Sequence, residues 1–153
     1  MSAFQQMAQD FLAQKHIAVA GVSRTGSATG NGIYDAFKQR GYTVYAINPN
    51  ADTIGGDPCY ASVGDVPAKL DGIVIVTRPE LATEIARDCV AAGVPRVWMH
   101  NNTFAPSSVS DEAEALCREN GIAVISGGCP MMFFDFGHKC MRAILGMMGR
   151  LPA

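Results

Sequence analysis

Ile17-Ala18-Val19-Ala20-Gly21-Val22-Ser23-Arg24 leads directly into Thr25-Gly26-Ser27-Ala28-Thr29-Gly30-Asn31-Gly32. A short apolar run empties into a loop of glycines and hydroxyls, and that loop opens a helix. Such a strand–loop–helix junction turns backbone N–H groups and the positive end of a helix toward whatever lies above it. Anions, phosphates foremost, bind there. The junction frames both the fold and the functional question, which is what phosphate compound the chain holds.

Outward from this junction, apolar runs alternate with helical patterns. Phe4, Met7, Ala8, Phe11 and Leu12 recur at helical spacing and predict an amphipathic helix ahead of the first strand, His16–Gly21. Gly30–Arg40 reads as a helix with Ile33, Ala36 and Phe37 inward, stopped by Gly41. Thr43–Ile47 is the second strand, and Gly72–Val76, apolar throughout and so buried on both faces, is the third. Pro79 opens a helix to Ala92, with Glu80 and Glu84 early and Gly93 just past its end. Arg96–Met99 is the fourth strand, Ser108–Asn120 a helix followed by Gly121, Ile122–Ile125 the fifth strand, and Gly137–Gly149 a last helix. Residues 50–70, with Gly55-Gly56, Pro58, Gly64 and Pro67, read as a long connection with one helical turn near Val63–Pro67.

This alternation predicts an α/β, three-layer Rossmann-like fold with a mostly parallel five-stranded sheet, in one domain over residues 1–153. Ligands of such sheets lie over the carboxyl ends of the strands, where strand order reverses. Gly21–Gly32, Asn48–Asn50, Thr77–Pro79 and His100–Phe104 are therefore expected to meet at one crevice, with Trp98, the single tryptophan, nearby.

Composition narrows the partners. A chain of 153 residues can bury one good core. Its net charge of −2 argues against nucleic acid, whose binders carry a basic face. No apolar run approaches the about 20 residues that span a bilayer, and the N-terminus lacks a signal peptide's basic start and apolar core. Five scattered cysteines with no CxxC pair suit free thiols in a reducing cytoplasm. Three dispersed histidines offer no metal-ligand spacing.

The phosphate loop fits neither common nucleotide fingerprint. Gly21-Val22-Ser23-Arg24-Thr25-Gly26 puts serine where a dinucleotide loop has its middle glycine. The second strand ends in Ile47-Asn48-Pro49 and lacks the acidic residue that reads the ribose of NAD; Asp52 lies too far along. Gly21–Gly26 also matches G-x-x-x-x-G, but Ser27-Ala28 follows where a P-loop needs Lys-Ser or Lys-Thr. What remains is a loop with the hydroxyls of Ser23, Thr25, Ser27 and Thr29, with Arg24 inside it and Arg78 at the end of the third strand. Two guanidinium groups on separate strand ends can embrace a ligand phosphorylated at two places. The plainer readings are loop solvation for the hydroxyls and solvated charge for the arginines.

Gly21-Val22-Ser23, the later Gly30-Asn31, Asn48-Pro49-Asn50, Val97-Trp98 and Arg78-Pro79-Glu80 resemble the single-domain coenzyme A-binding proteins. These are similar to the nucleotide-binding half of the succinyl-CoA synthetase α subunit. The resemblance runs from about Gln14 to Ile125 and rests on the order of the motifs. It implies coenzyme A or an acyl-CoA as ligand. Gly21, Val22, Ser23 and Arg24, with Gly30 and Asn31 opening the helix, would hold phosphates. Asn48 and Pro49 would line the nucleotide side, and Thr77, Arg78 and Pro79 would border the adenine or pantetheine. The synthetase keeps its phosphorylated histidine in a second domain, so ligase activity is not carried over. Gly137-His138-Lys139 reads as the start of the last helix.

No catalytic set stands out. Cys129 and Cys140, near His138, are the candidate nucleophiles, and Cys89 and Cys117 fall on inward helix faces. Met131-Met132-Phe133-Phe134, Phe136, Met141, Ile144, Leu145, Met147 and Met148 close the core, form a subunit contact, as in a homodimer, or make an apolar wall for a thioester's acyl chain. The expectation is a cytoplasmic coenzyme A or acyl-CoA binder without chemistry of its own. The alternatives are a small NAD(P)- or acyl-CoA-dependent enzyme using His100 or Cys129, and a CoA-sensing interaction module.

Overall fold

The computed structural model describes residues 2–26, 28–102 and 106–134. Helix α1, Ala3–Leu12, starts in a capping box in which the Ser2 hydroxyl accepts from the Gln5 N–H and the Gln5 side chain accepts from the Ser2 N–H. Strand β1, His16–Ala20, leads through the glycine loop to α2, Thr29–Gln39, and then to β2, Thr43–Ile47. Two short strands follow, β3 over Thr53–Ile54 and β4 over Asp57–Tyr60, then a 3₁₀ turn at Val63–Asp65. The second half runs β5, Gly72–Ile75; α3, Pro79–Ala92; β6, Arg96–Met99; α4, Asp111–Glu119; β7, Ala123–Ser126; and a 3₁₀ turn at Pro130–Phe133. The anticipated last helix lies outside the described residues, with His138 and Cys140.

The sheet has seven strands in the order β3-β4-β2-β1-β5-β6-β7, parallel except for the β3–β4 pair. This corrects the expected five. The extra pair is a hairpin closed by Gly55-Gly56, both at positive φ (55° and 87°), which a two-residue turn of this hand requires. The anticipated turn after it is present at Val63–Asp65. The fourth helix also starts later than expected. Ser110 caps it, its hydroxyl accepting from the Ala113 N–H at 3.1 Å, which frees Ser107 and Ser108 for a loop.

Alternate side chains of each strand enter two cores. Ile17, Val19, Val74, Trp98 and Ile125 pack under α1 and α2 with Phe4, Phe11, Ile33 and Phe37. Ala18, Ala20, Ile73, Ile75, Val97 and Met99 pack under α3 and α4 with Ala82, Ala86, Cys89, Ala113 and Cys117. Helices thus cover both faces, as parallel strands require. Trp98 is fully buried, edge-on to Phe11 at 5.4 Å, and its Nε1 donates to the Gly127 carbonyl at 3.0 Å. It is therefore a core residue and not part of the crevice. At the amino ends of the strands, Asp71 accepts from the N–H groups of His16 at 2.9 Å and Lys15 at 3.3 Å, which anchors β1.

Candidate functional site

Chain order reverses between β1 and β5, and the cleft opens over their carboxyl ends. It has two lobes that share Gly21, Thr77 and Leu81. Lobe one, about 380 Å³, lies over the ends of β1 and β2 against α3, with Val22, Asn48, Pro49 and Asn50 on one side and Leu81, Glu84, Ile85 and Asp88 on the other. Lobe two, about 430 Å³, lies between the first turns of α2 and α3, lined by Thr29, Gly30, Arg78, Pro79, Ser107 and Ser108.

Two glycines make the approach of loop and helix feasible. Gly21 sits at φ 102°, and a side chain there would run into the Val76 carbonyl. At Gly30 a Cβ would lie 2.5 Å from the Gly21 carbonyl oxygen, so only glycine lets the first turn of α2 rest on the loop. Asn31 then ties the loop down. Its Oδ1 accepts from the Ser23 N–H at 2.7 Å and its Nδ2 donates to the Ser23 carbonyl at 3.0 Å. Ser23 closes a turn by accepting from the Gly26 N–H at 3.1 Å, and its hydroxyl lies 2.9 Å from that of Thr25. Asn48 performs the same task across strands. Its Nδ2 donates to the Val22 carbonyl at 2.8 Å while its Oδ1 accepts from the Asn50 N–H at 2.8 Å.

Of the expected site residues, Gly21, Val22, Gly30, Asn48, Pro49, Thr77, Arg78 and Pro79 line the cleft. Ser23, Arg24 and Asn31 line neither lobe: Asn31 is buried with both amide ends committed, Ser23 is held in its turn, and Arg24 is exposed. Ser27 lies outside the described residues. Of the fourth expected segment, His100 is a correction: it is fully buried, its backbone N–H donating to the Ile75 carbonyl at 2.9 Å, while Pro106–Ser108 stand on the wall of lobe two. Thr103 and Phe104 lie outside the described residues. Burial also lowers the pKa of His100 to about 4, so its ring is neutral at physiological pH. Burial pushes the Cys129 thiol up to about 11 and raises those of Cys89 and Cys117, which keeps all three protonated.

Lobe two has the character of an anion site. The N-cap of α2 is Ala28, which supplies no side-chain acceptor, and the first turn carries no acidic residue. The Asn31 N–H donates to the Ala28 carbonyl at 3.0 Å, and the Thr29 and Gly30 N–H groups, without a partner among the described residues, are left for a ligand. Arg78 caps α3 at the same lobe, ahead of Pro79 at the first helical position. Ser108 is 1% exposed and its Oγ has no hydrogen-bond partner among the described residues. Such an orphaned hydroxyl beside a cleft is ready to bond a ligand. Sequence reasoning missed Ser107 and Ser108 because their Ser and Asp neighbours read as a helix start. Among the described residues no group of three or more His, Cys, Asp or Glu could hold a metal ion, and no helix is long and apolar enough to cross a membrane.

Comparison with known proteins adds relatives. The family model described as "CoA binding domain" matches residues 15–135. Acetate–CoA ligase [ADP-forming] II of Archaeoglobus fulgidus is 34% identical over 99 residues, which cover 63% of this chain and 15% of the ligase. The chain thus spans only a small part of the curated relatives it matches. A hypothetical protein from Pyrococcus horikoshii OT3 has a similar structure, with TM-score 0.76, 25% identity, and coverage of 92% of this chain and 93% of that one. A conserved hypothetical protein from Pyrococcus furiosus is 32% identical, with TM-score 0.69, covering 78% of this chain and 99% of that one.

Proposed function

The chain belongs to the CoA binding domain family, and from that premise we propose that it binds coenzyme A or an acyl-CoA over the carboxyl ends of β1, β2 and β5. The observation that carries this reading is the bare N-terminus of α2, laid against Gly21 and facing a cleft that also holds Arg78 and the unpartnered Ser108 hydroxyl. Coenzyme A carries a pyrophosphate, and aligned amides with a nearby guanidinium compensate its charge in an otherwise acidic chain. In this reading Gly21, Val22 and Gly30 hold the pyrophosphate, and Ser23 and Arg24 continue that loop outside the two lobes. Asn31 positions that loop. Asn48 and Pro49 border the nucleotide, and Thr77, Arg78 and Pro79 border the chain that leads to the thiol. No bond-making step is assigned to the chain's own side chains. In the same proposal the chain acts in the cytoplasm, as a homodimer through the apolar C-terminal segment that begins at Met131; light scattering on a chain ending at Gly137 tests that contact, with loss of the dimer expected.

Thermal melts with coenzyme A, acetyl-CoA, NAD and ATP test the reading. A ligand at about 100 times its Kd stabilises by about 2.7 kcal/mol, which a melt resolves easily. Stabilisation by coenzyme A or acetyl-CoA, and not by NAD or ATP, supports the proposal. Stabilisation by NAD alone would falsify it.

A further inference from the structure

The two lobes of the cleft carry opposite charge. Glu84 and Asp88 stand four residues apart on α3, hence on one face of it, and both line lobe one. Both are exposed, and neither forms an ion pair among the described residues. Facing them at the end of β2 are Asn48, Pro49 and Asn50, all neutral, and no described residue lining this lobe is a lysine or arginine. Lobe two has Arg78 and the positive end of α2. A nucleotide whose pyrophosphate sits at the start of α2 lays its ribose toward the end of the second strand, as nucleotides do in doubly wound sheets. That ribose then enters lobe one.

There the charge selects between two forms of the same ligand class. A ribose with free hydroxyls can donate to carboxylates, whereas a phosphate on that ribose meets two negative charges with no cation lining the lobe among the described residues. We propose that lobe one favours adenosine nucleotides whose ribose carries no phosphate, so that dephospho-CoA and its thioesters bind more tightly than their 3′-phosphorylated counterparts. Glu84 and Asp88 are the specificity-determining residues. The inference rests on the binding mode proposed above and adds the direction of selection.

Calorimetric titration of the full chain with coenzyme A and with dephospho-CoA tests it. At low salt dephospho-CoA should bind about fivefold to tenfold more tightly. The gap should shrink at about 1 M salt, where the Debye length falls to about 3 Å. In the Glu84→Gln, Asp88→Asn double variant it should close through tighter binding of coenzyme A; both positions are exposed, and a melt checks that the variant is folded. Equal or tighter binding of coenzyme A by the unmodified chain overturns the selection and leaves the binding reading standing. A gap that persists in the double variant also overturns it. Failure of both ligands to bind overturns the inference together with the reading beneath it.

Discussion

Arg24 and Arg78 show how two cations beside one cleft differ in reach. Both are exposed, but Arg78 lines lobe two from the N-cap position of α3, whereas Arg24 lines neither lobe. Arg78→Ala is expected to weaken coenzyme A binding by about 1.5–3 kcal/mol, the loss of one charge-assisted contact, with an unchanged melting temperature for the free protein. Arg24→Ala should weaken it less; unchanged affinity in both variants would remove guanidinium groups from the site. His100 gives a pH prediction. Its folded pKa of about 4 lies below the unfolded value near 6.5, so the unfolded chain takes up its proton first as pH falls. The stability it contributes is intact above pH about 6.5 and is lost between there and pH about 4, to an extent of roughly 3 kcal/mol. Urea unfolding across that range should show the slope in the native chain and a flatter profile in His100→Gln. Arg78's place at the cleft was legible in the sequence, whereas the settings of Arg24 and His100 were not. His100 looked like a crevice residue because it follows a strand, but a strand's alternation decides which face its next side chain takes, and here that face is the core.

At the scale of elements, the start of α2 matters most. Its first turn lies on Gly21 through Gly30, so Gly30→Ala must push helix and loop apart. This should lower stability by about 1–3 kcal/mol in denaturant titrations and weaken coenzyme A binding as well. The start of α4 is a contrasting case, remote from ligand chemistry. The Ser110 hydroxyl caps it and also lies 2.6 Å from that of Thr83 on α3. Ser110→Ala should cost about 1–2 kcal/mol of stability and leave ligand affinity unchanged. The five long-range strands were readable because parallel strands buried on both faces are written as continuous apolar runs. The β3–β4 hairpin was not, since Asp52, Asp57 and Pro58 are poor strand formers; only Gly55-Gly56 signalled the turn. Four glycines and asparagines of the site, Gly21, Gly30, Asn31 and Asn48, were legible as important. That both asparagines spend their amides on backbone, Asn31 away from the lobes and Asn48 while still lining lobe one, was not, because spacing does not reveal which atoms a side chain spends on its own chain.

For the whole molecule, the sheet divides labour between its two ends. At the amino ends, Asp71 and the Arg96–Asp10 ion pair hold β1, β5 and α1 in place. The carboxyl ends are given over to the cleft, where an uncapped helix and an unpartnered hydroxyl are retained at some cost to stability. Ligand should therefore quiet one end only. In hydrogen exchange, saturating coenzyme A should slow amides of residues 21–32 and the first turn of α3 and leave those of β3 and β4 unchanged.

A crystal of the chain grown with coenzyme A addresses the binding claim itself. The pyrophosphate is expected within hydrogen-bond distance of the first amides of α2, with Arg78 and Ser108 around the same lobe. A cleft closed by the protein's own side chains, or the ligand bound elsewhere with those amides facing only water, would contradict it.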